Sequence, residues 1–190
     1  MLPSFYQACL QAQLSSIQFI TLKMLVALLQ RERHVSIERL ATLFAQPIQF
    51  ESRRRNLQRF LQLPQLNLKA LWFPIIKHWL KQHFHRGQSV YLVIDRTAWQ
   101  HHNLLVISLV YQKRTIPVFW SLLDHCGSSS LSEQQAVFRP VLALMRRYRC
   151  IVLEDREFHS VALADWLRQQ RVGFVLRLAQ KHHGQVSSGR

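Results

Sequence analysis

The order in which hydrophobic runs follow one another from Val90 to Leu178 limits the fold more than any other feature of the chain. "VYLVID" (Val90–Asp95), "NLLVISLVY" (Asn103–Tyr111) and "IPVFWSLLD" (Ile116–Asp124) are short, rich in β-branched and aromatic residues, and joined by short polar segments. They predict three strands in an antiparallel meander, with "QKRT" (Gln112–Thr115) as the place of the second turn. The period then lengthens. "GSSSLSEQQAVFRPVLALMRRY" (Gly127–Tyr148) predicts a loop and a helix capped by Ser130 or Ser132, with Glu133 in its first turn and Pro140 either kinking it or starting a fresh one. "CIVLED" (Cys150–Asp155) reads as a fourth strand, "SVALADWLRQQR" (Ser160–Arg171) as a helix capped by Ser160, and "GFVLRL" (Gly173–Leu178) as a fifth strand. A strand–helix–strand unit makes strands four and five parallel.

Written as elements, residues 90 to 178 run β-β-β-α-β-α-β. This is the order of the ribonuclease H-like fold, an α/β class with a mixed sheet whose first strand lies between the second and the fourth. Asp95 stands on the first run and Asp155 at the end of the fourth, so strand adjacency brings two carboxylates together. Carboxylates crowded at the ends of buried strands repel and resist desolvation unless a divalent cation lies between them. Magnesium suits hard oxygen ligands, and two such ions about 4 Å apart serve phosphodiester chemistry. An aspartate at a strand end also caps turns or pairs with a nearby arginine, which keeps a structural role open for each.

The region before this sheet reads as helical. "LSSIQFITLKMLVALLQ" places Leu14, Ile17, Leu22, Leu25 and Leu29 near one stripe, and "SIERLATLFA" has Ser36 as an N-cap with Ile37, Leu40, Leu43 and Phe44 inward. After Pro47, "FESRRRNLQRFLQ" predicts a third helix carrying Arg53, Arg54, Arg55 and Arg59. Short helix, turn and Arg-rich helix resemble a helix-turn-helix; a bundle with a solvated basic face fits equally. In "LPQLNLKALWFPIIKHWLKQHFHRGQ", Trp72, Phe73, Trp79 and Phe84 alternate with Lys69, Lys77, Lys81 and Arg86, a mixture able to stack on unpaired bases but better read as an amphipathic helix ended by Gly87.

Lys and Arg outnumber Asp and Glu 25 to 10, a formal charge of +15, and the natural partner of such a chain is a polyanion. Apolar runs are too short for a membrane span and no signal pattern opens the chain, so nucleic acid is favoured over a membrane and a cytoplasmic location is expected. Cys9, Cys126 and Cys150 form no CxxC pair and read as buried free thiols. The pairs His83/His85, His101/His102 and His182/His183 lack the spacing of a metal site on one helix face.

"IDRTAW" (Ile94–Trp99) and "LEDREF" (Leu153–Phe158) resemble the first and second aspartate motifs of bacterial insertion-sequence transposases of the DDE type, in the group whose second motif reads Asp-Arg-Glu. The intervening "PVFWSLLDHCGSSSLSEQ" is similar to that family too, and the resemblance runs from Val90 to Lys181. It implies a metal-dependent DNA transposase that cleaves a phosphodiester at the element's end and transfers the strand to target DNA. Asp95 and Asp155 then map to the first two metal-binding catalytic aspartates, and Arg156 and Glu157 to phosphate binding or support of the metal shell. For Arg96 a structural ion pair or a phosphate contact is expected.

The family's third ligand is a glutamate in a Tyr-x2-Arg-x3-Glu-x6-Lys helix, and no acidic residue follows Asp165. Glu154 should point away from Asp155, and Asp124 belongs to a strand remote from the fourth, so neither is a convincing substitute. The expectation is therefore a truncated, catalytically incomplete copy: a helical DNA-binding region at 1–65, a linking amphipathic helix at 66–87, an incomplete core at 88–181 and a disordered tail at 182–190. Its magnesium site would lack the third acidic ligand. The alternatives are a non-catalytic DNA-binding protein that competes or pairs with a full-length transposase, and a nuclease of the same fold with a different third carboxylate. DNA is the expected partner, as element ends and target, with a homodimer or pairing with the full-length enzyme as the oligomeric arrangements.

Overall fold

The computed structural model describes residues 2–33, 35–99, 101–154 and 160–176 of the 190. The predicted site residues Asp155, Arg156 and Glu157 lie outside the described residues, as do the end of the Gly173–Leu178 run and the tail at 182–190. The chain divides into two compact units between Gln82 and His83.

The first unit is helical: α1 (Ser4–Gln11), α2 (Ser16–Glu32), α3 (Ile37–Leu43), α4 (Phe50–Leu61), a π-helical turn (Leu68–Trp72) and α5 (Phe73–His83). Local chemistry fixes the starts. Ser15 and Gln18 form a reciprocal capping box at α2, and the Ser36 hydroxyl accepts from the Arg39 N–H at α3. Leu25, Leu28, Leu40, Ala41, Phe44, Leu57 and Phe60 bury together, so α2, α3 and α4 share one core. Leu10, Leu14, Phe19 and Ile75 make a second cluster. Leu25 is buried as expected, with Phe19 and Leu28, whereas Ile17, expected on the same inner stripe of α2, is 77% exposed. Of the three free thiols read as buried, Cys150 is buried, Cys9 only partly, and Cys126 is exposed in the loop after the third strand of the sheet.

The second unit is a five-stranded mixed sheet of order β3-β2-β1-β4-β5, with the ribonuclease H-like arrangement. Its strands are β1 (Ser89–Trp99), β2 (His102–Tyr111), β3 (Arg114–Leu123), β4 (Arg149–Glu154) and β5 (Gly173–Leu176), with α6 (Leu131–Met145) after β3 and α7 (Val161–Gln169) after β4. β1 runs antiparallel to β2 and parallel to β4, and β4 is parallel to β5. The β2–β3 turn sits at Gln112 and Lys113, both at positive φ, the backbone that matches the twist of a two-residue hairpin. Ser130 caps α6 through a capping box with Glu133, and α6 runs unbroken through Pro140. Ser160 caps α7.

Strand alternation divides the sheet. Val90, Leu92, Ile94, Leu105, Ile107, Leu109 and Val152 share the covered face and are essentially inaccessible. Phe138, Val141 and Met145 of α6 and Leu163 and Leu167 of α7 are buried with them, each large side chain contributing about 1.5–3 kcal/mol of transfer free energy. The opposite face presents Tyr91, Trp120, Leu122 and Val175, all substantially exposed.

Candidate active site

Because Leu92 and Ile94 take the covered face, their neighbours Val93 and Asp95 take the other. Asp95 lies opposite Val106 in β2, its side chain is exposed, and its Oδ1 accepts a 2.8 Å hydrogen bond from the Arg96 backbone N–H. The strand tip is thus not a buried place for this carboxylate, as its apolar approach suggested. Alternation leaves it in solvent.

The β1–β4 ladder ends at Ile94 opposite Glu154. Asp95 and Asp155 are the next residues of the two chain segments. Glu154 shares the helix-covered face with Ile94, is only 5% exposed, and neither of its carboxylate oxygens has a hydrogen-bond partner among the described residues. Burial pushes its carboxyl up to about 7. It projects away from the Asp95 side of the sheet. Asp124 follows the end of edge strand β3, separated from β4 by β2 and β1; its side chain is exposed and 3.9 Å from His102 Nδ1.

At the same end of the sheet as Asp95, the loop after β3 is tied down by a cluster that the sequence announces only in part. Asn103, 2% exposed, donates from Nδ2 to the carbonyls of His125 (3.0 Å) and Gly127 (2.7 Å). His125 places Nε2 2.8 Å from Glu133 Oε1 and Nδ1 3.0 Å from the Cys126 carbonyl. The Ser130 N–H and hydroxyl each donate to Glu133 Oε2 at 2.7 Å. Those Ser130 bonds, with His125, hold Glu133 down at about 2; the Cys126 carbonyl and then Glu133 raise His125. The Ser-x-x-Glu spacing signals the cap, but nothing local in the sequence signals that His125 folds back on it.

The four arginines of α4 part company. Arg53 is half-buried and donates from Nε to the Ala41 carbonyl (2.8 Å) and from Nη1 to the carbonyls of Gln46 (3.3 Å) and Ile48 (2.8 Å). Arg54 is paired with Glu51 at 3.3 Å. Arg55 and Arg59 are exposed and have no hydrogen-bond or ion-pair partner among the described residues.

Among the described residues no group of three or more His, Cys, Asp and Glu side chains could hold a metal ion. Asp95 is the one carboxylate there on the open side of β1 and β4, so the described residues alone do not fit a metal centre. Nor is any described helix long and apolar enough to cross a membrane.

The sheet order, with α6 and α7 packed on it, defines a mixed α/β protein of ribonuclease H-like class. No protein-family model matches the chain, and no curated protein matches it. Among solved structures it is similar to the Mos1 strand transfer complex, at 14% identity and a TM-score of 0.30 over 83% of this chain and 58% of that one. A pre-cleavage Mos1 transpososome matches at 15% identity and a TM-score of 0.31 over 82% and 58%. The large terminase of a thermophilic bacteriophage matches at 11% identity and a TM-score of 0.29 over 50% and 24%. The chain thus spans about 58% of the Mos1 chains and about a quarter of the terminase.

Proposed function

We propose that the chain is an insertion-sequence DNA transposase of the DDE type in which Asp95 and Asp155 are the first two catalytic carboxylates. The observation that carries this reading is the β1–β4 ladder: Ile94 and Glu154 are partners on adjacent parallel strands, and each immediately precedes one of the two aspartates in the sequence. The words around them, "IDRTAW" and "LEDREF", agree with the family's two motifs. The site would hold magnesium, which supplies Lewis acidity for opening a phosphodiester. Arg96, Arg156 and Glu157 stand beside the two aspartates in sequence and are assigned to substrate phosphate or to support of the site. DNA is the substrate, in keeping with an excess of 25 basic over 10 acidic residues.

A second reading is a DNA-binding protein without catalysis that competes or pairs with a full-length transposase; the formal charge of +15 supports DNA binding whether or not chemistry follows.

The test separates site from turnover. Mn2+ binding is measured by electron paramagnetic resonance on the wild-type chain and on D95N and D155N, alongside nicking of supercoiled plasmid. Binding lost in both variants supports the paired site even where nicking is slow. Equal Mn2+ affinity in all three chains would sink it, and salt-sensitive DNA binding without nicking or specific Mn2+ uptake would leave the second reading standing.

A further inference from the structure

We infer that α4 reads duplex DNA through a single stripe, Ser52, Arg55, Asn56 and Arg59, and that Arg53 is a positioning residue which sets that helix rather than a DNA contact. The stripe follows from helical spacing: positions i, i+3, i+4 and i+7 share a face, and all four side chains are exposed. Leu57 and Phe60 occupy a different face and enter the core shared with α2 and α3.

Charge on the unit leaves this stripe as its unneutralised surface on α4. Residues 1–82 hold eleven Lys and Arg and three glutamates. Each glutamate is engaged: Glu32 with Arg31 and Arg39, Glu38 with the Ser36 hydroxyl, Glu51 with Arg54. Arg55 and Arg59 remain unpaired among the described residues, and Asn56 lies between them. An arginine fork matches the two acceptors of guanine and an amide the donor and acceptor of adenine, both displayed in the major groove. A 12-residue helix, about 18 Å long, fits that groove.

Arg53 supplies the geometry. Its guanidinium gathers the Ala41 carbonyl near the end of α3 and the Gln46 and Ile48 carbonyls of the connecting segment, so α3, the turn and α4 are held by one planar group. With Nε and Nη1 engaged on three carbonyls, it sets the angle at which α4 leaves α3. Basic residues at 53, 54, 55 and 59 look equivalent in the sequence; the fold gives them three different tasks.

This inference does not rest on Asp95 or Asp155, and its test excludes divalent metal so that the two readings fail separately. The full chain is titrated in EDTA against a fluorescein-labelled 30-base-pair duplex of randomised sequence at several salt concentrations, and preferred sites are selected from the same pool. R55A and R59A are expected to weaken binding about tenfold each and to flatten the salt dependence, while R54A changes affinity less than about twofold. N56A should keep most affinity and lose preference at one position of the selected site. Circular dichroism checks the fold of each variant; Arg55, Asn56 and Arg59 are exposed and Arg54 only partly covered, so folding should persist. Retained affinity in the R55A/R59A double variant, or binding of single strands in preference to duplex, would overturn the assignment.

Discussion

Ile94 and Glu154 are partners across adjacent parallel strands, and both side chains enter the same helix-covered face; one is a hydrocarbon, the other a carboxyl with no hydrogen-bond partner among the described residues. The ladder that brings β1 and β4 together therefore carries on its covered side a polar group that no described residue satisfies. On the other side the Asp95 side chain is exposed.

Stability should fall as pH rises because of that group. Burial raises the Glu154 carboxyl from 4.5 to about 7, so it is protonated in the folded state where the unfolded chain has already ionised. Its full contribution is present below pH 4.5 and is lost as pH rises through about 7, a change of roughly 3 kcal/mol by linkage. Urea melts across this range should show the slope, and Glu154→Gln should flatten it and be the more stable chain at pH 8. A slope unchanged in the variant would place the pH dependence elsewhere.

Glu133 works in the opposite direction. Held at about 2 by Ser130 and His125, it contributes above pH 4.5 and loses that contribution as pH falls through about 2. Because the carboxylate is partly solvated and the capping box is local, Glu133→Ala should cost about 1 kcal/mol at pH 7 and little near pH 2. Equal destabilisation of the variant at both pH values would contradict the ionic account.

Much of both units is legible in sequence because the signals are local. Ser36, Ser130 and Ser160 each precede an apolar-periodic run and each caps the helix observed there. The central place of β1 followed from element order alone. What was not legible depends on partners far along the chain. β1 continues past Asp95 to Trp99 because Arg96, Thr97 and Ala98 pair with Leu105, Leu104 and Asn103, and polar residues give no sign of such pairing. Arg53 reads as one more charge in an arginine run until the fold brings three carbonyls to it. Ile17 joins the same apolar stripe as Leu25 by spacing, yet α2 turns Phe19 and Leu28 inward beside Leu25 and leaves Ile17 exposed. The exposure of Asp95 was available from alternation with Leu92 and Ile94, but the apolar run before it suggested burial on both faces.

Arg53→Ala should destabilise the helical unit by about 2 kcal/mol, since it removes charge-assisted bonds to three carbonyls at once. Arg53→Lys should recover only part of this, as an ammonium lacks the fork that spans Ala41, Gln46 and Ile48. Hydrogen exchange localises the effect: protection should fall at α3 and α4, with the sheet unit unchanged. Uniform loss across both units would mean that Arg53 acts on global folding instead.

The loop beside the candidate site offers the sharpest single-residue test. Asn103 is almost wholly buried, and its amide donates to two carbonyls of the segment that joins β3 to α6. Asn103→Asp keeps the shape but replaces the donor with a carboxylate facing the carbonyls of His125 and Gly127, so repulsion adds to the lost bonds. Asn103→Leu removes the donor without adding charge and leaves the two carbonyls to find water. The aspartate variant should lose about 3 kcal/mol at pH 7 and recover part of it at pH 4, where a protonated carboxyl can donate again; the leucine variant should lose about 2 kcal/mol at both. Denaturant melts at the two pH values decide the matter. If the aspartate variant shows no recovery in acid, the two carbonyl contacts are not what fixes the loop at this end of the sheet.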